Sequence, residues 1–166
     1  MRAIAIILTL TLAALAAMAQ QPAAGAMKTF SSSSDVQALI AKAKSERKGD
    51  APVVAERILQ LAPYNANLEY RAAVGPAAVH EKDAEMFYVI DGSATMVTGG
   101  KLVNEKRNNA DNLGGTGIEG GQSRQISKGD FIFVPEKTAH WFSQINGVLV
   151  VMSLHVPRSG SGGGTQ

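Results

Sequence analysis

The chain has 166 residues, 45% of them hydrophobic and 18% charged, which points to one globular domain with a single core and excludes a disordered chain. Its net charge of +2 is a small excess of bases, not a cluster. Only Lys42, Lys44, Arg47 and Lys48 crowd together, on a surface-helix pattern beside Glu46 and without interleaved aromatics, so nucleic acid is not an expected partner. Cysteine is absent, so there is no disulfide framework and no thiol for lipid attachment.

Residues 1–19 predict a secretory signal peptide. Arg2 precedes an apolar run from Ala3 to Ala17, and small Ala17 and Ala19 favour cleavage before Gln20. An uncleaved anchor is the competing reading, but the run falls short of the roughly 20 residues that a spanning helix prefers. The expected location is therefore periplasmic or secreted, with no membrane attachment after cleavage. Residues 20–33, rich in Pro, Ala, Gly and Ser, predict a flexible lead.

The domain itself is expected over residues 34–157. It opens with one short amphipathic helix: Ser34 as N-cap with Gln37 three residues on, apolar Val36, Leu39, Ile40 and Ala43 at helical spacing, and Gly49 as the stop. From Ala51 the period changes to short β-rich runs punctuated by Gly, Pro, Asn and Asp, which predict an all-β antiparallel sandwich or barrel. The polar, glycine-rich stretch between Glu105 and Gly121 reads as a surface loop or flap. Residues 158–166 form a Gly/Ser tail with nothing to pack, and disorder is expected there.

The stretch AAVHEKDAEMFYVIDG places His80 and Glu85 five residues apart, on opposite faces of any single strand. The charged tripeptide Glu81-Lys82-Asp83 supplies a turn that would let them converge. Glu85 then shares a face with Phe87 and Val89, while Met86, Tyr88 and Ile90 take the other, so an acid sits on a face that otherwise goes inward. GDFIFVPEKTAHWFSQI repeats the plan: Phe131 to Val134 read as a buried strand, Pro135 to Thr138 as a turn, and His140 opens the next strand with Phe142 and Gln144 on its face. Imidazole and carboxylate donors suit Fe, Mn, Zn, Ni or Co, and a buried Glu85 without a cation would be costly or would become neutral.

These two segments resemble the cupin superfamily, specifically small single-domain members carrying a signal peptide. The first cupin motif is G-x5-H-x-H-x(3,4)-E-x6-G, of which His80, Glu85 and Gly92 match the second histidine, the glutamate and the last glycine. The second is G-x5-P-x-G-x2-H-x3-N, of which Gly129, Pro135 and His140 match the glycine, proline and histidine. Ala78, Ala72, Lys137 and Gln144 replace the first histidine, the opening glycine, the internal glycine and the asparagine.

The resemblance covers roughly Pro52 to Pro157. It implies a single antiparallel β-barrel, or jelly roll, with His80, Glu85 and His140 as the remaining metal ligands, and a small organic molecule at the open positions. It also implies a possible homodimer and, if the protein is an enzyme, oxygenase, isomerase or lyase chemistry. A metal-free, non-catalytic barrel that only holds or senses a small molecule is the alternative.

Phe87, Phe142, Gln144 and Tyr70 are the candidates for touching that molecule. Gln144 would fill the vacant position or act as a plain core-edge amide. Tyr70 and Arg71 alternate, so one of them faces the cavity, and Arg71 reads as the surface residue. His155 shares parity with Leu149, Val151 and Ser153, the less apolar face of its strand, which places it on the solvated or rim side. Trp141 is expected to pack between sheets or in a dimer contact. No nucleophile elbow and no phosphate-binding loop in a strand-to-helix context is present.

Overall fold

The computed structural model describes residues 27–158. The expected signal peptide, and the expected tail beyond Arg158, lie outside the described residues. Of the expected flexible lead, residues 27–33 are described, and they are tied down: Lys28 forms an antiparallel bridge with Gln60, and Ser31 Oγ donates to the Ile58 carbonyl at 3.1 Å.

The one helix among the described residues, α1 (Ser33–Glu46), starts earlier than its sequence suggests. Ser32, not Ser34, is the N-cap, because Asp35 three residues on closes a reciprocal capping box with it, donating its own N–H to Ser32 Oγ and accepting from the Ser32 N–H. It ends at Arg47 in extended conformation, before the expected stop; Gly49, at φ 56°, serves the following turn instead. Val36, Leu39, Ile40 and Ala43 pack on Leu68, Tyr70 and Val150, as the helical spacing requires.

The remaining elements are β1 (Val53–Leu61), β2 (Tyr64–Arg71), β3 (Ala77–His80), β4 (Asp83–Asp91), β5 (Ser93–Thr98), β6 (Lys101–Val103) and β7 (Lys106–Arg107). They continue with β8 (Asn112–Gly115), β9 (Gly117–Glu119), β10 (Gln122–Ser127), β11 (Phe131–Val134), β12 (His140–Ile145) and β13 (Leu149–Pro157). A five-stranded sheet, β1-β2-β13-β4-β11, faces a six-stranded one, β10-β5-β12-β3-β8-β7, with β6-β9 as a small third ribbon. The architecture is the expected all-β jelly roll, but the two sheets are not closed into one continuous barrel.

The stretch between Glu105 and Gly121 is more ordered than its composition suggests. It contains β7, β8 and β9, because β8 pairs with β3 through Ala77–Gly115 to His80–Asn112 and β9 pairs with β6. Glycine serves that pairing: a Cβ on Gly115 would lie 2.7 Å from the Val103 carbonyl oxygen.

Alternation sorts the core. Phe87, Val89, Ile132, Val134, Leu149 and Val151 from one sheet meet Ala94, Met96, Ile126 and Phe142 from the other, and full burial of such side chains contributes about 1.5–3 kcal/mol each. Contrary to the reading of 131–134 as a wholly buried strand, Phe131 and Phe133 are 70% and 60% exposed, because β11 ends its sheet and only Ile132 and Val134 point inward. Gly92 closes the β4–β5 turn at φ 85°, where a Cβ would lie 2.1 Å from the Val148 carbonyl oxygen.

Candidate metal centre

Two turns deliver the site. The first, at Glu81 and Lys82, reverses the chain between β3 and β4 and is pinned to the β7–β8 hairpin: Arg107 pairs with Glu81 at 2.8 Å and Lys82 with Asp111 at 2.7 Å. In the second, Lys137 adopts φ 60°, a left-handed conformation at the position where the cupin motif has glycine, and its N–H donates to the His80 carbonyl at 2.7 Å. The turn before His140 is thereby fastened to His80.

Glu85, only 4% exposed, is the hub. Its Oε2 lies 3.1 Å from His80 Nε2 and 3.0 Å from His140 Nε2. Its Oε1 accepts from Ser153 Oγ at 2.5 Å and lies 3.5 Å from His155 Nε2. Each imidazole meets an oxygen through its other nitrogen: Asn112 Oδ1 at 2.5 Å for His80, the Thr138 carbonyl at 3.3 Å for His140, and Asp83 Oδ2 at 3.7 Å for His155. Such partners on Nδ1 fix the ring and direct Nε2 to the shared point.

The electrostatics follow from this packing. Burial pushes the Glu85 carboxyl up, but hydrogen bonds from His140, His80 and Ser153 outweigh it and hold the acid well below the usual carboxylate range. Burial pushes His80 down, and its bonds to Glu85 and Asn112 more than reverse this, so its pKa is raised.

The structure brings His80, Glu85 and His140 together, and Phe87 lies beside them with its ring centroid 5.9 Å from that of His140. Phe142, its ring centroid 5.3 Å from that of Phe87, belongs to the same core cluster. Gln144 is not at the site: a bulge between Phe142 and Gln144 breaks the strand's parity and leaves it exposed, bonded to Asn146 at 3.0 Å. Tyr70 packs under α1, so Arg71 is the inward member of that pair, 4.6 Å from the Phe142 ring and 2.7 Å from Glu69. Trp141 donates to the Gly75 carbonyl at 2.8 Å.

His155 corrects the expectation of a rim residue. Leu149, Val151 and Ser153 are all fully buried, so the face that carries them is the inward one, and His155 completes it. Ser153, Asn112 and Asp83 were not singled out by the sequence. For Ser153 the signal was its parity with Leu149 and Val151; for Asn112, inside a loop-like stretch, there was none.

No protein-family model and no curated protein matches the chain. Among solved structures it is similar to KdgF from Halomonas sp., at 18% identity and TM-score 0.49 over 68% of this chain and 86% of that one. It is also similar to hydroxypropylphosphonic acid epoxidase from S. wedmorenis, at 15% identity and TM-score 0.47 over 64% of this chain, which spans about half (51%) of that protein. At these values the likeness concerns fold at most.

The chain's own structure shows two antiparallel sheets in jelly-roll order, with both motif turns, each crossing from one sheet to the other, bringing their histidines to one glutamate. The fold is the antiparallel jelly roll that the resemblance to the cupin superfamily implied.

The residues of this centre fit a divalent ion. One ligand atom from each of His80, Glu85 and His155 lies within 4.8 Å of the others, and His140 Nε2 shares the Glu85 oxygen that His80 contacts. Nitrogen and carboxylate oxygen are donors that such ions accept.

Proposed function

We propose that this cupin-type protein is exported, holds a divalent metal through His80, Glu85 and His140 with His155 as a further ligand, and binds or acts on a small organic molecule beside it. One observation carries the reading: imidazoles from β3, β12 and β13 direct their Nε2 atoms to within 3.5 Å of a single buried carboxylate. His155 supplies the imidazole that Ala78 lacks, from a different strand. A bound divalent ion supplies Lewis acidity towards a substrate or water oxygen. The chain's own part is to fix ring orientation through Asn112, Thr138 and Asp83, and to keep one side dry with Phe87. Fe, Mn, Zn, Ni and Co all suit the donors, and oxygenase, isomerase or lyase chemistry would be open to such a centre. Export rests on residues 1–19. A homodimer would cover the free edge of β11 with its exposed Phe131 and Phe133.

A second reading is favoured by the completeness of the cluster's own hydrogen bonding: both Glu85 oxygens and the Nδ1 atoms of His80 and His140 have partners within 3.3 Å. The centre would then be a metal-free polar plug, in a jelly roll that only binds or senses its ligand. Elemental analysis of untagged mature protein separates the two. About one ion per chain, lost in His80→Ala and His140→Ala, supports the first; metal-free wild-type protein that still binds a small molecule supports the second.

A further inference from the structure

The inner face of β2 is polar where a structural strand would be apolar. Across the β2–β13 pair, Asn65 stands opposite His155, Asn67 opposite Ser153, Glu69 opposite Val151 and Arg71 opposite Leu149. Directly opposed residues project to the same face. Since Leu149 and Val151 belong to the interior core and Ser153 bonds Glu85, the row from Asn65 to Arg71 faces the same interior as the histidines. The alternate residues Ala66, Leu68 and Tyr70 are buried on the other side. On β1, the edge strand, Arg57 is opposite Asn67 and carries the row sideways to an exposed position at the rim of the sheet.

Glu69 and Arg71 satisfy each other at 2.7 Å. Asn65, Asn67 and Arg57 are different: among the described residues none of their side chains has a hydrogen-bond or ion-pair partner, although both asparagines are half-buried. Half-buried carboxamides without partners retain their donors and acceptors for whatever enters, and an unpaired guanidinium beside them selects a carboxylate. With strands about 4.8 Å apart, β1 lies about 10 Å from β13, a span that a chain of about six carbons bridges.

We propose that Arg57, Asn67 and Asn65 form a subsite for a small hydroxylated carboxylate, its acid group on Arg57 and its hydroxyls on the two carboxamides, with the far end of the molecule at the His–Glu cluster. Only that last contact rests on the metal reading. The class of ligand is a polyhydroxy acid, and the polyol of equal length lacks the group that Arg57 recognises.

The test is calorimetric titration of D-gluconate, glycerate and sorbitol into wild-type protein, Arg57→Gln and Asn67→Ala, each metal-loaded and EDTA-treated, with metal content measured in parallel. The expected result is gluconate binding at least tenfold tighter than sorbitol or glycerate, weakened at least tenfold in each variant, with metal stoichiometry unchanged. Gluconate binding that is equal in wild type and both variants, or absent from wild-type protein, overturns the proposal. Protein that takes up no metal but binds gluconate in a manner lost in both variants sustains the subsite while removing the metal centre, so the two failures are distinguishable.

Discussion

His155 and Glu85 are cross-strand neighbours, opposite one another in the β13–β4 pair, with His155 Nε2 3.5 Å from Glu85 Oε1. Two residues back along β13, Ser153 reaches the same oxygen. The last strand therefore supplies both an imidazole and a hydroxyl to a carboxylate that His80 and His140 of the facing sheet also contact.

Ser153 is fully buried, and among the described residues its hydroxyl is the one non-imidazole donor to the Glu85 side chain. Ser153→Ala leaves the Glu85 Oε1 atom with only the longer His155 contact, and loss of a buried donor to a charged group costs about 1–3 kcal/mol. Urea unfolding of metal-free protein checks this; an unchanged midpoint would show that the bond contributes nothing to stability.

Asn112 would act on the proposed metal through His80. Its Oδ1 accepts from His80 Nδ1, and its own Nδ2 is fixed by Asn109 Oδ1 at 2.8 Å. Asn112→Ala is expected to weaken metal binding about 10–100-fold, the usual effect of removing such a partner, while leaving the fold intact. Competition against a chromogenic chelator measures it, with circular dichroism as the control.

The metal-free cluster makes stability depend on pH from both sides. Glu85 is held below its ordinary value of 4.5, so its contribution is present above that pH and is lost as pH falls through the lower folded value. His80 is raised above 6.5, so its contribution is complete below 6.5 and is lost as pH rises through the folded value. The pair stabilises most between 4.5 and 6.5. Denaturation midpoints of EDTA-treated protein from pH 3 to pH 9, about the range these groups titrate over, are expected to peak in that window for wild type and to flatten for His80→Gln.

Lys137 pays a backbone cost that glycine would not. A left-handed non-glycine residue costs roughly 1–2 kcal/mol, partly offset by the entropy glycine loses on folding. Lys137→Gly is expected to raise stability by about 0.5–1 kcal/mol and Tm by a few degrees, read by thermal unfolding. A fall in Tm would mean that the lysine side chain contributes more than its backbone costs.

Much of the fold was legible because alternation is a local signal: Glu85, Phe87 and Val89 against Met86, Tyr88 and Ile90 sort as their parity requires. The convergence of His80, Glu85 and His140 was legible because turn residues mark where each strand begins. Non-local facts were not. A bulge after Phe142 moved Gln144 out, and the inward face of β13 was misassigned because Ser153 and His155 made it look wet. Pairing with β3 turned a glycine-rich stretch into β8, and the Asp35 capping box shifted the helix start.

The central claim is that one divalent ion bonds His80, Glu85 and His140. Anomalous scattering from crystals of metal-loaded protein, collected at the absorption edge of the bound element, tests it directly. The account predicts a single peak about 2.0–2.2 Å from the Nε2 atoms of His80 and His140 and from a Glu85 oxygen, within reach of His155. A peak elsewhere, or none at Glu85 in protein exposed to excess metal, would contradict it.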